Sequence, residues 1–166
     1  MKQLFILLMI FHTNFLFSQE SELESCNVKY QIDTTGLNKS GFLKLQITNF
    51  ESRNLRIPQT FSTMRIQAQN LEKYDRELKK FIKVENTFVD VNCPKCNSKQ
   101  FKLKPIEKYE YILAINQLYH VEKKLTQKNT QYKLNLFFDS IDFSYDQNMK
   151  CYIKNYESPK IIYITK

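Results

Sequence analysis

The chain has 166 residues, a formal net charge of +8 and 42% hydrophobic residues, the size and make-up of one folded domain with its own core. Gly36 and Gly41 are its only glycines, so it lacks a glycine loop of the kind that cradles phosphates. Its cations are dispersed: Lys29, Lys44, Arg56, Arg65, Lys102, Lys104, Lys133 and Lys154 alternate with apolar neighbours, and Glu72, Asp75 and Glu77 dilute the basic stretch Lys73, Arg76, Lys79, Lys80 and Lys83. That pattern belongs to the wet face of a sheet and argues against nucleic acid as a partner.

At the N-terminus, Met1-Lys2-Gln3 sets one positive charge before the apolar block Leu4-Phe5-Ile6-Leu7-Leu8-Met9-Ile10-Phe11. His12, Thr13 and Asn14 interrupt the block, so the stretch ending at Phe17 falls short of the roughly 20 apolar residues that span a bilayer. Small Ser18 then precedes the polar run Gln19-Glu20-Ser21-Glu22. We read residues 1–18 as a signal peptide cut after Ser18, and residues 19–166 as one domain, secreted or periplasmic and not integral to a membrane after cleavage. Leu23-Glu24-Ser25-Cys26 resembles a lipidation box only superficially, because Glu24 lies inside it and acidic residues separate it from the apolar block.

The mature part alternates with period two, the mark of half-buried strands. Val28, Tyr30 and Ile32 open the series, followed by Leu43, Leu45 and Ile47, and by Met64, Ile66 and Ala68. Phe101 and Leu103 come next, then Tyr109, Tyr111, Leu113 and Ile115, then Tyr132, Leu134, Leu136 and Phe138, and last the run Ile161-Ile162-Tyr163-Ile164. Turn-forming clusters separate them at Thr35-Gly36, Asn38-Lys39-Ser40-Gly41, Asn97-Ser98 and Asn129-Thr130. About seven short strands in one domain predict an all-β sandwich. Tyr132, opening an apolar strand after a turn, stands where a tyrosine corner or a plain core tyrosine would sit. Two stretches, residues 70–85 and 112–125, also carry apolar residues at helical spacing. We read residues 71–76 as a turn or a single helical turn inside a hairpin, 78–84 as strand, and 117–125 as a loop with at most one helical turn.

The order of these features resembles small bacterial immunoglobulin-like domains, including the sandwich type of the intracellular proteinase inhibitor of bacilli. The residues that carry the likeness are Leu45-Gln46-Ile47-Thr48-Asn49, Leu55-Arg56-Ile57-Pro58, Phe101-Lys102-Leu103-Lys104-Pro105-Ile106-Glu107 and Gln131-Tyr132-Lys133-Leu134-Asn135-Leu136. The resemblance implies an immunoglobulin-like Greek-key β-sandwich. It also implies glycine at two turns, where this chain has Ile106 and Thr130 or its neighbours. No inhibitory residue is carried across.

Four cysteines in an exported chain point to disulfides. We expect Cys26 to pair with Cys151, since the two ends of a sandwich lie close together, and Cys93 to pair with Cys96. Cys93-Pro94-Lys95-Cys96 also admits half of a zinc site or a redox pair, but no second such motif completes the first and no helix follows to activate the second. His120 is the only histidine beyond the signal peptide, has no nucleophile motif nearby and reads as structural. Asp139, Asp142 and Asp146 do not have the spacing of a known calcium loop. The sequence therefore predicts a non-catalytic exported domain without a cofactor, whose partner is a protein, peptide or glycan. A thiol-active or metal-binding protein using Cys93 and Cys96, and a structural component of a cell-surface assembly, are the alternatives.

Overall fold

The computed structural model describes residues 24–84, 99–118, 125, 127–140, 143 and 151–165. The strands are β1 (Glu24–Ser25), β2 (Val28–Asp33), β3 (Phe42–Asn49), β4 (Leu55–Pro58), β5 (Ile66–Asp75) and β6 (Lys80–Lys83). They continue with β7 (Gln100–Leu103), β8 (Lys108–Ala114), β9 (Gln131–Phe138), β10 (Cys151–Tyr152), β11 (Tyr156–Glu157) and β12 (Ile161–Ile164). Among the described residues the one α-helix is a single turn, α1 (Leu37–Ser40), so the chain is all-β, as its alternation predicts. No helix of these residues is long and apolar enough to cross a membrane. The expected signal peptide lies outside the described residues.

Two larger sheets organise the molecule. One has the antiparallel order β2-β3-β8, and the other the order β11-β9-β5-β6, with β12 also paired to β9. β4 pairs with β7, and β1 runs parallel to β10. Alternation decides what each sheet buries: Leu43, Leu45 and Ile47 of β3 and Tyr132, Leu134, Leu136 and Phe138 of β9 enter one hydrophobic cluster fed by both sheets. Phe61, between β4 and β5, joins them, meeting Tyr111 of β8 at 5.5 Å and Phe138 of β9 at 5.7 Å between ring centres. Tyr30 of β2 stacks on Tyr156 of β11 at 4.8 Å. Each large apolar side chain so buried contributes about 1.5–3 kcal/mol.

Three readings need correction. Residues 71–76 are not a turn: β5 runs through to Asp75, and the hairpin turn lies at residues 76–79, closed by Asp75 Oδ1 accepting from Glu77 and Leu78 amides at 2.9 Å each. The cause is an irregularity between Gln69 and Glu72, with Asn70 at φ 48°, that shifts the inward positions from Ile66 and Ala68 to Leu71. Met64 lies in a 3₁₀ turn, Thr63–Arg65, ahead of that strand. The cluster at residues 38–41 is not only a turn but includes the last residues of α1, ended by Gly41 at φ 77°. The helical spacing at residues 112–125 resolves into strand β8 and a 3₁₀ turn, Ile115–Gln117; residues 119–124 lie outside the described set, as do Asn97 and Ser98.

The free edge of β12 is capped from within the chain. Asn38 of α1 accepts from the Ile164 amide at 2.9 Å and donates to the Ile162 carbonyl at 3.5 Å. A side-chain carboxamide thus stands where one residue of a neighbouring strand would, blunting an edge whose Ile162 and Ile164 are exposed.

Candidate functional site

The two ends of the molecule differ in chemistry. At the first end β2 begins, β3 ends, and Cys26 is joined to Cys151 with 5.0 Å between Cα atoms, as the sequence predicts. Arg53 Nη2 donates to Cys151 Sγ at 2.8 Å. Cys93 and Cys96 lie outside the described residues.

Beside the disulfide, Asn49 ties the loops together. It is fully buried, and its Nδ2 donates to the carbonyls of Arg53 (2.8 Å) and Leu103 (2.9 Å) while its Oδ1 accepts from the Glu51 amide (2.8 Å). Its backbone takes part as well: Asn49 N donates to Glu107 O, and Ile106 N donates to Asn49 O. The turn from Lys104 to Glu107 is thereby anchored on one flank. It is closed by Glu107 N donating to Lys104 O and by Lys104 N donating to Glu107 Oε2 at 2.7 Å.

Pro105 and Ile106 sit at the centre of that turn, and Ile106 has φ 62°. A positive φ at the third position favours glycine, and for a β-branched side chain it costs on the order of 1–3 kcal/mol. Yet Ile106 is 65% exposed, so no burial of its side chain offsets that cost. Phe50, which follows Asn49, is 44% exposed, and Tyr152, whose carbonyl accepts from Cys26 N, is 43% exposed. Backbone bonds thus hold the segments that carry these exposed apolar residues at one end of the molecule, whose edge is here called the rim. Ile112 of β8 is equally exposed, but it lies across from Lys44, which pairs with Glu110 at 3.2 Å, on a mixed sheet face where single apolar residues are ordinary.

The second end combines polar and apolar walls. A cavity of about 280 Å³ opens between α1 and β12, lined by Leu37, Asn38, Asn116 and Tyr163 among others. A larger groove of about 650 Å³ lies between the β5–β6 turn and the segment 127–130. Here Asn129, at φ 51°, occupies the second turn where the resemblance calls for glycine.

The remaining sequence candidates are not drawn together. Asp139 is ion-paired with Arg65 at 3.1 Å, whereas Asp142, Asp146 and His120 lie outside the described residues. Tyr132 is buried as expected, and among the described residues no backbone group pairs with its hydroxyl. Tyr30 and Tyr111 hold their phenols well above the usual range because burial disfavours the phenolate, and their hydroxyls donate to Lys154 O and Pro58 O. The Lys160 ammonium hydrogen-bonded to Glu72 lowers that carboxyl's pKa. Sequence reasoning marks Ile106 as a missing glycine but not as an exposed tip. Phe50 it misses, although its place just past a strand that ends in buried Asn49 is the available signal. Comparison with family models, curated proteins and solved structures yields no match.

Proposed function

We propose that the protein is an exported, non-catalytic β-sandwich of immunoglobulin-like Greek-key order that binds a protein or peptide partner through the rim of Phe50 and Ile106. The strand order supports the fold: counting β2, β3, β5, β7, β8, β9 and β12, the first, second and fifth share one sheet, and the third, sixth and seventh share the other. The fourth departs, because β7 pairs with β4. The Cys26–Cys151 bond fits an oxidising compartment and so supports export.

The observation that carries the binding reading is Ile106. An exposed apolar side chain kept in a costly backbone conformation, and bonded in place on both flanks, is pre-organised, so little conformational freedom is lost when a partner covers it. The test places a photo-crosslinking residue at position 106, at position 50 and, as a control, at the equally exposed position 112, in the exporting cell. Discrete adducts at 106 and 50 and none at 112 are expected. Equal labelling at all three positions contradicts the reading. Intact mass of the exported protein tests cleavage after Ser18 in the same preparation.

A further inference from the structure

The groove at the second end has a chemistry of its own, independent of the apolar rim. Its cations are Lys73, Arg76 and Lys128, and the carboxylates Asp75 and Glu77 lie among them on the hairpin wall. An anionic ligand would meet the two carboxylates, and a cationic one the three basic groups. A hydroxyl both donates and accepts, so a neutral polyol uses donors and acceptors of both signs at once. Gln127 and Asn129 add backbone and amide polarity to the wall, and half-buried Tyr74 supplies an aromatic surface with a polar tip. At about 650 Å³ the groove falls within the roughly 300–1,000 Å³ of small-molecule sites.

Its walls are fixed before any ligand arrives. Arg76 Nη2 donates to Asn129 O at 2.7 Å, tying the hairpin turn to the opposite wall. Asn129 N donates to Thr165 O, and the Thr165 hydroxyl bonds the Gln127 carbonyl, so the second wall is held by the strand end behind it. The hairpin wall is closed by Asp75, and Tyr74 packs against Phe81 at 5.2 Å. From the presence of both charge signs, the polar lining and this rigidity we infer that the groove is a binding site for an uncharged oligosaccharide.

The test applies the fluorescently labelled, disulfide-intact protein to an immobilised array of neutral and acidic oligosaccharides, at low salt and at about 0.5 M salt, where exposed charges are screened. Signal on neutral glycans that survives high salt is expected, and Tyr74→Ala should weaken it by about tenfold, equivalent to about 1.4 kcal/mol. Because Tyr74 also packs on Phe81, Lys128→Ala and Glu77→Ala serve as second variants; each should weaken the same signal while the unfolding midpoint stays unchanged. Ile106→Lys should leave it intact, which separates this site from the apolar rim. Signal confined to acidic glycans and erased by salt overturns the assignment, as does no signal across the array.

Discussion

The disulfide end and the groove end are built from the same strands, yet they are held by different forces and present different surfaces. At the first end a covalent bond, a buried asparagine and a strained turn fix a rim that is apolar and exposed. At the second, side-chain and backbone hydrogen bonds from Asp75, Arg76, Asn38 and Thr165 shape a polar groove and a smaller cavity of mixed lining. The contrast teaches that rigidity here is applied to the loops at both ends, and that each end uses the chemistry its own loops supply.

The largest effect that can break this contrast is loss of the disulfide. Cys26→Ala with Cys151→Ala opens a loop spanning a sequence separation of 125 and should lower stability by on the order of 4–5 kcal/mol, read by urea unfolding. Crosslinking at position 106 should fall with it, while the array signal of the groove persists in whatever fraction stays folded. A loss under ~1 kcal/mol would show that the first end does not depend on the bond.

Asn49→Ala comes next. It leaves the Leu103 carbonyl, already buried with its strand, without this donor, and it frees the Arg53 carbonyl and the Glu51 amide. About 3 kcal/mol should be lost, with hydrogen exchange rising first in the turn containing Ile106.

Alkaline pH sharpens the picture of the core between the two ends. Burial raises the pKa of Tyr30, Tyr111, Tyr156 and Tyr163. A raised folded value means that the stabilisation is fully present below the unfolded phenol value, about 10, and is lost as pH climbs through the higher folded values. Ultraviolet titration should therefore show the exposed phenols ionising first and a second group ionising together with unfolding. A single transition near 10 would contradict that burial.

The smallest effect concerns the second end. Asn38→Ala removes the carboxamide that caps β12 and should cost about 1 kcal/mol. Its clearer sign is association: an uncapped edge flanked by Ile162 and Ile164 should pair with a second copy in sedimentation at high concentration, where the parent chain does not.

Much of the fold was legible because period-two alternation survives wherever one sheet face is buried, as in β3 and β9. It failed in β5 because the shift after Gln69 moves Leu71 inward and leaves Leu71, Tyr74, Leu78 and Phe81 at a spacing that imitates a helix. β1, β10 and β11 have two residues each, too few for any period to register. The pairing of Cys26 with Cys151 was readable from the closeness of chain ends in a sandwich. Of the rim, only the absent glycine at Ile106 left a trace, because exposure of an apolar residue depends on which loops surround it. The groove was invisible for the same reason: Arg76 and Asn129 meet only after the sheet has formed.

The most direct measurement is Ile106→Gly, followed for stability and for crosslinking from position 50 together. Glycine relieves the left-handed backbone, and after its own entropic cost the variant should gain about 1 kcal/mol, while adducts at position 50 decline because the apolar tip is gone. A variant that is less stable, or one that keeps its full set of adducts, would contradict the claim that strain is retained at this turn for the sake of a partner.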